Sequence, residues 1–526
     1  MKRERYILHL QEVGKSDVPI AGGKGASLGE LYQAGISVPE GFVVPAHVYT
    51  GFLERAGLKR YVREVLEYLA YNDAEALTKA AKEIKEAILG IPMPPEIADD
   101  IREAYRSLGE GLVAVRSSAT AEDLPDASFA GQQSTFLNIS GGDNVVLAVQ
   151  ECWASLFEPR AIFYRVENGF DHLKVGIAVV VQRMVQSQTS GVLFTADPIS
   201  NDRSKITIEA GYGLGEAVVS GAITPDHYVV DKEKMRVEDK RLAIQNWMLV
   251  RNPGVALNTA DANIKVDVPQ ARQQSQKLSD DHIVALAQIG KEIEELYGHP
   301  QDIEWAQEDG HLYVVQSRPI TTLGELPEAF QDALKKISAR VLVRGSGASP
   351  GMGPGPVKII KDATVIHLVK KGDVLVTEMT TPDFVPAMKR ASAIVTNKGG
   401  RTCHAAIVSR ELGVPCVVGT ENATRVLRQR QQVTVDGAQG VVYEGILEFK
   451  APEVLEPARK VKTATRVYVN LADPELADVV AARNVDGVGL LRAEFIIRNT
   501  IGVHPMHALH TGKGQEWTDK LAQGLE

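Results

Sequence analysis

A histidine that opens a helix-forming run behind two glycines is the strongest chemical signal in this chain. In TNKGGRTCHAAIVSRELGVPCVVGT (396–420), Gly399 and Gly400 turn the chain after the apolar run AIVT, and His404 begins the segment HAAIVSREL. The orphan N–H groups and the positive dipole end of such a helix face the imidazole. A neutral imidazole is a competent nucleophile near pH 7, and a helix N-terminus favours that form and stabilises a dianionic phosphoryl adduct. The glycines let the backbone approach closely where a Cβ would hinder it. A lone histidine at a helix start is more often a cap or a surface residue. The motif around His404 favours a phosphohistidine instead.

Three other segments have residue types suited to a nucleotide. In DIEWAQEDGHLYVVQSRP (302–319), two short strands meet across Glu308-Asp309-Gly310. Alternation places Asp302 and Glu304 on one face of the first strand, and Gln316 and Arg318 on one face of the second. If the faces coincide, a carboxylate and an amide oxygen could hold magnesium while the guanidinium pairs with phosphate oxygens. An isolated hairpin of this kind is more often a solvated polar face. In AGGKGASLGEL (21–31), a glycine-rich turn runs into a helix and offers backbone N–H groups and Lys24 to a phosphate, although it lacks the P-loop pattern. In VRSSATAEDLPDASFAGQQSTFLN (115–138), Arg116 ends an apolar strand and a polar loop follows. That loop suits a flexible cover over anionic groups, and taken alone it is an ordinary surface loop.

The elements that must position these residues fall into three parts, as a length of 526 residues leads one to expect. Residues 1–325 mix helical stretches with short apolar strands and read as an α/β or α+β nucleotide-binding region. Residues 340–450 are strand-rich after the Gly/Pro-rich start GSGASPGMGPGPV, with one helix beginning near His404. Residues 465–526, from RVYVNLADP on, read as strand and loop pieces of a further, parallel α/β unit. With 44% hydrophobic and 24% charged residues the chain should fold. A net charge of -9 with no long Lys/Arg run excludes a nucleic-acid or membrane-surface footprint. The first residues lack a signal-peptide core, so a cytoplasmic location is expected. Cys152, Cys403 and Cys416 are odd in number and form no C-x-x-C pair, against both a disulfide framework and a zinc knuckle.

The run from Gly399 to Arg410 resembles the phosphohistidine signature of the phosphoenolpyruvate-utilising enzymes, and Thr402-Cys403 resembles their synthase branch, the pyruvate, water dikinases. The resemblance extends in order through AGGKGASLGEL, VRSSATAEDLPDASFAGQQST, SGVLFTADP, EAGYGLGEAVVSGAITPD, DIEWA with VVQSRP, and GVGLLRAEFIIRNTIGVHP. It implies a multidomain α/β and α+β fold. An ATP-grasp-like domain binds Mg2+ and ATP, a swivelling phosphohistidine domain follows, and a TIM-type barrel takes pyruvate. It implies that Lys24, Arg116, Gly131 and Thr135 contact ATP phosphates and that Gln182 lies by the base. Glu304 and Gln316 ligate magnesium, Arg318 neutralises developing charge, His404 is the nucleophile, and Arg492 binds pyruvate. The implied reaction is ATP, pyruvate and water to AMP, phosphoenolpyruvate and phosphate, in the gluconeogenic direction. A regulatory kinase/phosphatase acting on Thr402 and a homo-oligomer are the implied partners.

The chain stops soon after IGVHP, so most of a barrel of about 250 residues is missing. The acidic metal-binding pair and the proton-donating cysteine that the family places later have no counterpart, and the pyruvate half-reaction is expected to be incomplete in this stretch. Three alternatives stay open. Pyruvate, phosphate dikinase shares the histidine, although Thr402-Cys403 favours the synthase. Rifampicin-type phosphotransferases carry a long insertion that is absent here. A phosphohistidine carrier or regulatory module would keep only the transfer chemistry.

Overall fold

The structure, a computed structural model, describes residues 5–67, 74–120, 135–167, 170–198, 202–253, 262–320, 340–401, 403–447, 465–466, 468–471 and 485–491, with isolated residues elsewhere. Those up to Leu447 belong to one compact unit and those from Thr465 to another. Gly131, Thr402 and Arg492 lie outside the described residues, as does the charged stretch between the first two parts.

Two antiparallel sheets build the nucleotide-binding region. The first has five strands in the order Leu8–His9, Gly41–Val44, Ile177–Arg183, Val113–Ala119, Thr135–Ile139. The second has six, in the order Arg236–Arg241, Asp226–Asp231, Lys205–Tyr212, Thr189–Phe194, Gln301–Glu308, His311–Pro319. Period-two alternation divides the second sheet by face. Leu193, Ile208, Tyr228, Ile303 and Trp305 enter a core with Ile283, Leu286 and Ile293 of helix Asp280–Tyr297. The opposite face carries Glu304, Val192, Glu209 and His227, which pair strand to strand in one row. Valine and isoleucine runs favour the pleated, half-buried surface that this arrangement needs.

Arg116 lies inside its strand, which continues through buried Ser117, Ser118 and Ala119 against Ile177–Val179. This corrects the expectation that Arg116 ends it: polar residues continue the ladder because their backbone groups are paired in the sheet. The glycine-rich segment also differs from a turn leading into a helix. Helix Val18–Gln33 runs on both sides of Gly22, whose φ of 70° breaks it. A Cβ on Gly22 would overlap Ser118, so glycine answers both the left-handed backbone and the close approach.

A buried ion pair ties the start of the Asp226–Asp231 strand to the segment before helix Asp280–Tyr297. Lys277 Nζ lies 2.8 Å from Asp226 Oδ1, and both side chains are fully enclosed. Tyr228 Oη and the Lys277 amide donate to Asp226 Oδ2, the Ala243 amide to Oδ1. Removing one partner strands a buried charge, so Lys277→Met should destabilise the unit by about 3–5 kcal/mol. The readout is its urea unfolding midpoint, and an unchanged midpoint would contradict the assignment.

A second buried cation sets a pH dependence. Arg165 Nε donates to His172 Nδ1 at 3.0 Å. Burial first, and the Arg165 charge second, push the His172 imidazole down to about 4. The native state thus holds His172 neutral while the unfolded chain takes up a proton near pH 6.5. The associated stability is complete above pH 6.5 and is lost as pH falls toward 4, by about 2 kcal/mol after allowance for the partial exposure of the ring. In His172→Gln, unfolding midpoints should fall less steeply over that interval; equal slopes would remove His172 as the cause.

The second part of the unit, residues 340–447, is an eight-stranded sheet. Strands Met352–Ile359, Val374–Thr377, Ala393–Thr396 and Cys416–Val418 pair in parallel at its centre, flanked by antiparallel edges. Its strands run from Val341–Arg344 to Val441–Glu444. The expectation of one helix is corrected: short helices Val385–Met388 and Ala423–Val426 accompany helix His404–Leu412. In the other unit, Tyr468–Leu471 and Gly487–Leu491 form a parallel pair.

Candidate active site

Arg116 joins the two sheets of the nucleotide-binding region. Only 8% exposed, its guanidinium donates to the Val315 carbonyl at 2.5 Å, to Gln316 Oε1 at 2.6 Å and to Glu304 Oε2 at 3.3 Å. The hairpin faces coincide as alternation requires: Glu304 is paired directly with Gln316 and Asp302 with Arg318. Asp309 and Gly310, at φ 50° and 82°, close the two-residue turn that fixes this register. Arg318 is tied to Asp302, Nη2 to Oδ2 at 2.8 Å. One carboxylate oxygen and one amide oxygen therefore converge on the same guanidinium nitrogen, Arg116 Nη2.

The remaining sequence-predicted residues gather on the first sheet. Thr135 is the register partner of Arg116 and is exposed. Gln182 pairs with Ala114, on the Arg116 face of that sheet, and donates to the Pro39 carbonyl from a buried position. Lys24 is half-buried in the segment just past the Gly22 break. That segment is held on two sides. Ser118 Oγ accepts from the Gly25 amide and donates to the Ala21 carbonyl, while Ser27 Oγ donates to the Ser317 carbonyl next to Gln316.

His404 occupies the first position of its helix, with Cys403 as the N-cap residue. Thr380 Oγ1 lies 3.0 Å from His404 Nδ1 and orients the ring. Cys403 and Cys416 are buried thiols pushed up to about 11 and about 12, chiefly by desolvation, and Cys152 is pushed up in the same way. All three stay protonated, so none offers a competing nucleophile.

Sequence reasoning assigned no role to Thr380, Asp197, Glu209 or Arg401. The Arg401 amide donates to Glu209 Oε1 at 2.7 Å, and the Arg401 guanidinium reaches Asp197 Oδ1 at 3.3 Å. The loop before His404 thus rests on the polar face of the six-stranded sheet. FTADP and EAGYGLGE lay within the quoted motifs, but contacts across some 200 residues leave no local periodicity to read.

Glu304 and Gln316 fit magnesium in the nature of their donors: two hard oxygens meet at Arg116, and a cation that keeps several waters and phosphate oxygens needs few protein ligands. Among the described residues no cluster of three or more His, Cys, Asp or Glu side chains could hold a metal. Among them, too, no helix is long and apolar enough to cross a membrane.

Residues 18–337 match the pyruvate phosphate dikinase AMP/ATP-binding domain, and residues 369–440 the mobile domain of phosphoenolpyruvate-utilising enzymes. One chain with both domains, and with His404 at a helix start in the second, is a phosphoenolpyruvate-utilising enzyme in class. Close relatives narrow this further. The chain is 46% identical to the phosphoenolpyruvate synthase of Pyrococcus furiosus, over 99% of its own length and 70% of that protein. It is 50% identical to the probable phosphoenolpyruvate synthase of Methanothermobacter thermautotrophicus, over 100% and 76%, and 42% identical to the phosphoenolpyruvate synthase of Aquifex aeolicus, over 99% and 64%. It belongs to the phosphoenolpyruvate synthase family.

Proposed function

We propose that this protein converts ATP, pyruvate and water to AMP, phosphoenolpyruvate and phosphate through a phosphohistidine at His404. One observation carries the reading most: an oriented histidine at a helix start, whose leading loop rests on the sheet that presents Glu304 and Gln316. His404 Nε2 attacks the β-phosphorus of ATP, and the bond to the α–β bridging oxygen breaks, releasing AMP. Water then cleaves the bound diphosphate and releases the γ-phosphate. Loss of a methyl proton makes pyruvate an enolate, whose oxygen takes the remaining phosphoryl group and restores His404. The dikinase alternative would use phosphate in place of water; family membership favours the synthase.

In this account residues 1–325 act as an ATP-grasp-like clamp, residues 340–450 as a swivelling carrier, and residues 465–526 as part of the pyruvate-binding barrel, with Arg492 contacting substrate. Lys24, Arg116, Gly131 and Thr135 hold the phosphates and Gln182 faces the base. Arg318 neutralises charge that develops on the transferred group. Glu304 and Gln316 hold Mg2+, which when bound neutralises polyphosphate charge. Incubation with ATP and pyruvate tests the reading: AMP and phosphoenolpyruvate should accumulate together, and ADP as the nucleotide product would overturn it.

Thr402 is the proposed target of a regulatory kinase/phosphatase. A phosphate two residues before His404 adds about -2 of charge and repels the incoming polyphosphate. Thr402→Glu should be nearly inactive in AMP formation and Thr402→Val active; an active Thr402→Glu would refute this electrostatic account.

A further inference from the structure

Glu209 is a buried carboxylate that the reaction as described does not use. It is 2% exposed, and burial of a carboxylate is costly unless its oxygens are paired. The pairing runs to the other part of the unit. Oε1 accepts the Arg401 amide at 2.7 Å, while a Cβ on Gly400 would lie 2.8 Å from Oε2 and 2.9 Å from Pro225. Gly221, with φ at +74°, lies so close to Cys403 that a side chain would overlap it. Outside these contacts, Arg401 reaches Asp197.

Register adds the decisive placement. Gln316, Glu304, Val192, Glu209 and His227 form one row across the six-stranded sheet, each directly opposite the next. Glu209 is therefore two strands, about 10 Å, from Glu304 on the same face. Its neighbour His227 is kept neutral by burial and by the nearby Arg401 and Arg241 charges, and Glu209 is the acceptor under the loop. The amide it holds lies three residues before His404.

We propose that Glu209 is a positioning residue: by accepting the Arg401 amide it fixes the His404 loop over the ATP site, with the Asp197–Arg401 pair as an outer clasp. This rests on the phosphohistidine reading above. In-line transfer tolerates little misplacement, and an error near 1 Å costs about 100-fold. Gly400 then has a defined purpose, since a side chain there would displace the loop from Glu209 and Pro225.

The test compares wild type, Glu209→Ala and Glu209→Gln by three measurements on the full chain: hydrogen exchange of the Arg401 amide, ATP affinity, and the single-turnover rate of His404 labelling from β-³²P ATP. Glu209→Ala should exchange the Arg401 amide faster and label about 10- to 100-fold more slowly at saturating ATP, with unchanged ATP affinity. Glu209→Gln, which keeps an acceptor oxygen, should recover most of the rate. A generic structural defect would not separate binding from labelling in this way. Unchanged labelling in Glu209→Ala overturns the proposal, and so does a parallel loss of ATP affinity, which would make Glu209 a nucleotide ligand. Should Glu209→Ala fail to fold, Asp197→Arg, Arg401→Asp and their combination decide: loss in each and recovery in the pair supports the clasp, and no recovery contradicts it. If wild type itself takes no label, the functional reading fails while Arg401 exchange still decides the docking contact.

Discussion

Replacing His404 with alanine should lower phosphoenolpyruvate synthesis by about 10⁴- to 10⁶-fold, the scale of loss when a covalent nucleophile is removed. Neither the cysteine thiols nor the hydroxyl beside the ring can take over. The three thiols are buried and held protonated, and the Thr380 hydroxyl is buried beside the ring it orients. ATP affinity should be nearly unchanged, because Arg116, Glu304 and Gln316 are held together without help from the His404 helix. Equilibrium ATP binding and steady-state product formation on the same preparation separate the two effects. Residual activity near wild type would remove His404 from the reaction.

Glu304→Ala should cut AMP formation by about 10²- to 10³-fold, as expected when a group that organises transition-state charge is lost. The fold should survive. Arg116 keeps Gln316 and the Val315 carbonyl as partners, so no buried cation is stranded. The strand also stays paired on both sides, with Thr189–Phe194 and with His311–Pro319. The unfolding midpoint should move by no more than about 1 kcal/mol, as is usual for a half-buried polar site residue. Arg318→Ala should match the activity loss, and it also leaves Asp302 without its partner at 2.8 Å. Normal AMP formation in both variants would place the hairpin outside the site.

What was legible in the sequence is what local chemistry dictates. The hairpin of Glu304 and Gln316 could be read because alternation and Asp309-Gly310 fix faces and turn together. The start of the His404 helix could be read because two glycines interrupt the strand pattern immediately before a helical one. The extent of the Arg116 strand could not, since Ser117 and Ser118 look like loop residues until the neighbouring strand satisfies their backbone. The helical turn before Gly22 was hidden for a related reason: the break is set by contact with Ser118, almost a hundred residues away. Glu209 and Arg401 were invisible as a pair because their hydrogen bond joins two separately patterned parts of the chain. Tertiary contacts of this kind leave no periodicity in either partner.

The central claim is that His404 is phosphorylated from the β-position of ATP before pyruvate takes part. Wild type incubated with ATP labelled separately at the β- and γ-positions, without pyruvate, tests it most directly. The account predicts acid-labile label on His404 from β-³²P ATP only, with the γ-label released as inorganic phosphate and one AMP formed per labelled histidine. Protein labelled by γ-³²P ATP with ADP as the product, or β-label retained in His404→Ala, would contradict it.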